Sequence, residues 1–348
     1  AAGVSDGTGD DDPVGAWIRT GDIDELLREV DRCCERRVWE ALVELADRCR
    51  RSGTTGHQLW PVASFAEYRL ALEAPAVVAG PVVDAGGGYL GPGPLTEVVA
   101  QSHPWSELEA HLQDPVARRL VAQERVLRGE ELDDTVDPGG GTDGPPDHLL
   151  PWESGYALAE YRPEGGRFPA PGLPDPVHPV LGAVRRPEPE CEEGVTALVD
   201  SLRHWSARSS GAVAACGVGG SAGDAITTLL AGLDPAGGRT DPAGPDPATW
   251  VELGPGEAAA LLGWAAASGA ARGPRRGAAA GRFDAWWTMA VLAGTDDDWP
   301  EGVGEAASEL RWWRWRPVSG EVGWSCRLAV EDPEHGLAWA LEATDRRA

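Results

Sequence analysis

Lysine and asparagine are absent from the 348 residues, isoleucine occurs three times, and all 30 basic side chains are arginine. With 46 glycines and 29 prolines beside abundant alanine, this bias points to GC-rich coding more than to selection for chemistry. Positive charge is scarce: 56 carboxylates outnumber the arginines and leave a formal charge of -26. Such an excess repels nucleic acid and anionic membrane surfaces, so neither is expected as a partner without a local basic patch. No apolar run approaches the roughly 18–20 residues of a membrane span. The head, Ala1 to Asp12, is acidic and Gly-rich rather than basic then apolar, so no secretory leader is visible and a disordered segment is expected over 1–12. Met289 is the only methionine, which leaves the natural start open. The six cysteines form no C-x-x-C pair, which argues against a zinc ribbon, and reduced thiols in a cytoplasm are the simpler reading.

What is present describes a globular chain. An apolar fraction of 42% with 16 tryptophans suits folding, and the length allows two modest cores. Residues 13–135 read as a helical domain. Asp22 with Glu25 makes an acid-led capping box, and Ile23, Leu26, Leu27, Val30 and Cys34 fall on one helical stripe. Val38, Leu42, Leu45 and Cys49 form a second stripe that Gly53 is expected to close. Further helices are expected over 61–74, 95–111 and 115–130, and no fixed period supports a repeat array.

Residues 136–189 read as a Pro/Gly-rich linker or surface excursion, because proline lacks a donor and fixes its backbone. Within them Tyr156–Arg162 suggests a strand, and 233–247 is a similar loop. Residues 190–348 mix both periods. Helices are expected over Glu192–Trp205, Glu257–Ser268, Phe283–Leu292 and Glu305–Trp312. Trp324, Cys326, Leu328 and Val330 then alternate with Ser325, Arg327, Ala329 and Glu331. The turn Asp332–Gly336 and the alternation of Leu337, Trp339 and Leu341 complete an antiparallel hairpin with one buried face, with a third strand over Arg314–Val318. The expected fold is α+β: a helical N-terminal half, and C-terminal helices packed on a small antiparallel sheet. The run WAAASGAARGPRRGAAAGRFDAWW (Trp264–Trp287), with DPEHGLAWALEATD (Asp332–Asp345), resembles uncharacterised domains of unknown function from GC-rich bacteria, a resemblance that implies no activity.

Several patterns invite a functional reading. Gly219-Gly220-Ser221-Ala222-Gly223 matches G-x-S-x-G, with Ala212–Cys216 as the strand before it and Ala225–Leu230 as the helix after it. A serine hydrolase would pair Ser221 with His335 as base, oriented by Asp332 or by the run Asp296, Asp297, Asp298. The competing reading is a chance match in a glycine-rich chain. Gly217-x-Gly219-x-x-Ala222 is a variant dinucleotide fingerprint, with Asp234 or Asp241 as the distant acid, set against a plain turn cluster. Arg272, Arg275, Arg276 and Arg282 crowd an acid-free Gly/Ala-rich stretch and suit a small anion or nucleotide, unless they pair with acids elsewhere or stack on Trp286 and Trp287.

His103, Glu107 and His111 are four apart. Eight residues separate the two histidines by about 12 Å along a helix, too far for both to reach one ion, so no metal is expected. Trp312, Trp313 and Trp315, interleaved with arginines, suit a core position better than base stacking. No pattern outweighs its competing reading. The expectation is a soluble, non-catalytic, cytoplasmic protein acting through protein contacts on the helical half, without a cofactor. The alternatives are the Ser221 hydrolase and the small-anion binder.

Overall fold

The computed structural model describes residues 12–52, 59–86, 90–132, 144–153, 155–232, 247–320 and 323–346. The chain divides into two compact units, Ala1–Arg118 with Tyr161–Gly166, and Arg119–Glu160 with Arg167–Ala348. This division differs from the boundary read at residue 135. It falls inside a continuous helix, Pro115–Leu127, whose later residues Gln123 and Glu124 bond to groups of the second unit.

The first unit is helical: α1 (Pro13–Thr20), α2 (Ile23–Arg36), α3 (Trp39–Arg51), α4 (Trp60–Glu73), α5 (Ala76–Asp84), α6 (Leu95–Ser102) and α7 (Trp105–Leu108), followed by α8 (Pro115–Leu127). Only half of the predicted capping box forms: Asp22 Oδ1 accepts from Glu25 N at 3.2 Å, while Asp22 N donates to Trp17 O instead of to the Glu25 side chain. Leu26, Val30, Cys33 and Cys34 of α2 and Leu42, Leu45 and Cys49 of α3 are buried together with α4. Gly53, the expected end of α3, lies outside the described residues. α4 is buried nearly all round, Val62, Ala63, Ala66 and Leu70 being inaccessible. Its polar Glu67 takes both oxygens to Arg50, each at 2.5 Å. The single helix expected over 95–111 is instead α6, α7 and a 3-10 turn, because Pro104 has no amide to continue α6. Cys33, Cys34 and Cys49 are free thiols whose pKa burial pushes up, to about 11 for the last two.

After the short ribbon β1 (Glu160–Arg162) and β2 (Gly165–Arg167), the second unit builds an antiparallel sheet from β3 (His178–Pro179), β4 (Ala212–Gly219), β5 (Ala248–Leu253), β6 (Arg311–Pro317), β7 (Trp324–Asp332) and β8 (Leu337–Asp345). The order is β3-β5-β6-β7-β8-β4. Its helices are α9 (Glu192–Ala207), α10 (Ala222–Gly232), α11 (Pro255–Ala267), α12 (Ala278–Leu292) and α13 (Val303–Glu309). The protein is therefore α+β, with the predicted β7–β8 hairpin paired from Trp324↔Asp345 to Asp332↔Leu337.

Two details correct the sequence reading. The helix expected over Glu305–Trp312 ends at Glu309, and Arg311 already begins β6. Alternation then sends Trp312 to one face and Trp313 and Trp315 to the other, where all three are buried. The hairpin also has two covered faces rather than one. Cys326, Leu328, Val330 and Leu341 pack under α9, α11 and α12, while Ala329, Ala338 and Ala340 are inaccessible beneath α10. Alanine is small enough to let a helix approach the sheet closely, so the strand alternates large with small instead of apolar with polar.

The 163–189 stretch lies largely outside regular structure, as its prolines require, and most of its residues are exposed, yet its backbone meets the start of α10 closely at one point. A Cβ on Gly182 would fall 2.1 Å from Gly223 O, and one on Gly223 2.1 Å from Leu181 O, so the two backbones touch at a pair of glycines. Glu188 N then donates to Gly217 O at 3.0 Å, and Pro187 bridges Val218 along the border of β4. No helix among the described residues is long and apolar enough to cross a membrane.

Candidate functional site

Ser221 closes β4 and opens α10. Its hydroxyl accepts from Asp224 N at 3.3 Å, while Asp224 Oδ2 accepts from Ser221 N at 3.3 Å, a reciprocal capping box. The next amide, Ala222 N–H, donates to Glu331 Oε2 at 2.9 Å. In a hydrolase of this pattern that amide would receive the developing oxyanion. Here a carboxylate already holds it, and the first amides of α10, which a nucleotide phosphate would also need, are engaged by Asp224 and Glu331. β4 is moreover a border strand antiparallel to β8. Asp234 and Asp241, the acids of the dinucleotide pattern, lie outside the described residues.

Asp332 and His335 do meet, Nδ1 lying 2.7 Å from Oδ2, in the hairpin turn. Asp332 raises the pKa of the exposed imidazole. Burial works to raise that of Asp332, but amide and imidazole hydrogen bonds from His335 outweigh it and hold the carboxyl low. Gly220 N donates to Gly336 O at 2.8 Å, which brings the turn beside the Ser221 junction. Among the described residues no hydrogen bond joins Ser221 to His335; the serine hydroxyl caps its own helix.

The four arginines do not converge. Arg282 is fully buried: Nε and Nη2 donate to Glu153 Oε1 and Oε2 at 2.9 and 2.8 Å, and Nη1 reaches Gln123 Oε1 at 2.6 Å. The carbonyls of Pro146 and His148 accept its remaining donors. Trp286 Nε1 and Tyr156 OH also donate to Glu153. Burial alone would raise the Glu153 pKa, but these partners, Arg282 foremost, bring it below the ordinary value. Arg276 pairs with Asp284, Arg275 lies over the Phe168 ring at 4.9 Å, and Arg272 is exposed. His103 Nδ1 faces Glu107 at 3.2 Å and Nε2 meets Ala74 O at 3.0 Å. Among the described residues no group of three His, Cys, Asp or Glu is arranged to hold a metal.

A wide concavity lies elsewhere, between α9 and α12. Glu193, Ala197 and Asp200 recur at i, i+4 and i+7 on α9; Asp284, Trp287, Thr288 and Val291 recur at i, i+3, i+4 and i+7 on α12. They bound a groove of about 880 Å³ that also takes in Glu190, Glu192 and Asp296. Six carboxylates thus face one cleft. Asp200 has a 3.7 Å contact to Arg203 and Asp284 has Arg276, whereas Glu190, Glu192, Glu193 and Asp296 make no close ion pair among the described residues. Burial raises the pKa of Asp284 despite Arg276. Trp287 leaves 40% of its surface in solvent, held edge-on against Trp299. The groove leaves no mark in the sequence, because six acids among 56 give no contrast until two helices are set side by side.

The model of a family of unknown function, DUF6183, matches residues 24–347. No curated protein and no solved structure matches the chain. The chain belongs to the DUF6183 family.

Proposed function

We propose that this DUF6183 member is a non-catalytic binding protein of the cytoplasm, and that the groove between α9 and α12 receives an arginine- or lysine-bearing segment of a partner protein. The observation that carries the reading is the set of carboxylates gathered around an exposed indole. A guanidinium or ammonium entering there gains ion pairing from several sides and the face of Trp287. The reading puts the contact on the second unit rather than on the helical half expected from sequence. The six free thiols, five of them buried, support a reducing compartment.

Fluorescence anisotropy of a labelled Arg/Lys-rich peptide, and of its Glu-rich counterpart, against the full chain provides the test. The basic peptide should bind, weaken as salt rises through physiological strength, and lose affinity in Trp287→Ala and in Glu193→Gln/Asp200→Asn. Equal binding of both peptides, or no change in either variant, overturns the proposal. The hydrolase alternative has the Asp332–His335 contact in its favour. It requires Ser221 to leave its cap and Glu331 to release Ala222 N–H.

A further inference from the structure

We infer that the cleft where β6 parts from β7 is a second binding site, taking a small flat carboxylate: one aromatic ring bearing a single negative charge. β6 pairs with β7 only over Arg311–Arg314 against Leu328–Glu331; beyond Arg314 it continues along β5 alone, while Trp324–Arg327 keep only β8. The parting leaves a cavity of about 510 Å³, within the usual size of small-molecule pockets. Trp264 and Trp324 stand in its wall with ring planes 13° apart and centroids 5.3 Å apart, a stack that a further flat ring extends. Phe168 closes another side.

Two polar groups in this wall are under-used. Arg314 is half-buried, donates from Nη1 to Pro174 O at 3.3 Å, and meets no carboxylate among the described residues. An anion entering the cleft would meet this guanidinium without a competing carboxylate among the described residues. Trp264 keeps its buried Nε1–H without an acceptor among the described residues. Its nitrogen has no exposed surface, so a ligand oxygen would satisfy it only with a shift of the indole. The charge balance sets the ligand's valence. Arg327, also in the wall, is matched by Glu342 at 2.6 Å, so one positive charge remains for the ligand. A carboxylate, which a single guanidinium grips with two parallel hydrogen bonds, suits that balance better than a doubly charged phosphate.

This inference is independent of the α9–α12 groove and is tested separately, by calorimetric titration of the full chain with indole-3-acetate and 4-hydroxybenzoate. Neutral indole-3-acetamide and adenosine monophosphate serve as comparisons. The carboxylates should bind saturably, and the amide at least about tenfold more weakly for want of the charge-assisted fork. Arg314→Gln should abolish the difference between acid and amide, and Trp324→Leu should weaken both. Arg314→Lys, which keeps the charge and loses the fork, should fall between wild type and Arg314→Gln, and it serves if the glutamine variant does not fold. The proposal is overturned if neither carboxylate binds at millimolar concentration, if acid and amide bind alike, if the phosphate binds best, or if the Arg314 variants match wild type.

Discussion

Removing Arg282 should unfold the second unit far more readily than removing any arginine of the loop before it. The Arg282 and Glu153 side chains are both fully excluded from solvent, and every hydrogen bond they make is internal. Truncation by Arg282→Ala leaves the Glu153 carboxylate buried with only Tyr156, Trp286 and the Leu150 amide as donors. Breaking a buried pair in this way costs about 3–5 kcal/mol. At roughly 2–4 °C per kcal/mol for a unit of this size, the midpoint should fall by about 6–20 °C. The double variant Arg282→Met/Glu153→Leu leaves no charge buried and should recover part of the loss, the remainder being held back by Tyr156, Trp286 and Gln123, which lose their partners. Urea denaturation followed by tryptophan fluorescence measures all three proteins. A loss below about 1 kcal/mol in Arg282→Ala, or a double variant no more stable than the single, would refute the assignment of Arg282 to structure. Arg272→Ala, at an exposed position, should stay within about 0.5 kcal/mol of wild type.

Ser221→Ala should cost about 1 kcal/mol, as expected for loss of a helix cap, and Ser221→Asp should restore most of it. A fluorophosphonate probe should leave Ser221 unlabelled; labelling that vanishes in Ser221→Ala would favour the hydrolase instead. His204 is largely buried and donates from Nε2 to Ser268 O at 2.6 Å, and burial, aided by Arg276 and Arg208, pulls its pKa down to about 4. Between pH 6.5 and about 4 the unfolded chain takes up a proton that the folded chain refuses. This contribution to stability is therefore complete above pH 6.5 and lost on acidification through that window. NMR titration of the imidazole checks it, and a transition near 6.5 would contradict it.

Much of the fold was legible because periodicity survives even in a chain so rich in alanine. The α2 and α3 stripes record which face each helix buries, the acid at Asp22 marks where α2 starts, and the β7–β8 alternation marks the hairpin though not that both its faces are covered. Three kinds of feature were not legible. Pro81 sits inside α5, so a helix lies where proline argues for a break. β5 gave no signal that distinguished it from a loop, since between its buried ends the residues are half-buried or, at Glu252, exposed. Trp312 reads as the end of a helix until the chain is seen to reverse after Glu309 and run beside β5 and β7.

The candidate sites divided along similar lines. The G-x-S-x-G spacing correctly marks a strand-to-helix turn, but spacing alone does not say whether the serine hydroxyl faces a substrate or its own helix. The partners that decide it, Asp224 three residues on and Glu331 far along the chain, become visible only in three dimensions. Arg282 looked like one member of a basic cluster because its counter-charge lies in the Pro/Gly-rich stretch, remote in sequence. The acidic groove and the β6–β7 cleft are both built from residues that belong to different elements. No linear pattern records them.

The sheet's outermost strands have a bearing on self-association. Pro179 occupies half of the two-residue β3 and offers no amide, and at the opposite end Gly217 O already accepts from Glu188 beside the Pro187–Val218 bridge. A strand from another molecule that tried to lengthen the sheet would meet a missing donor on one flank and an occupied acceptor on the other. Fibrillar growth through its rims is obstructed by three residues of the Pro-rich stretch, Pro179, Pro187 and Glu188, which give that stretch a protective role that its composition alone does not suggest.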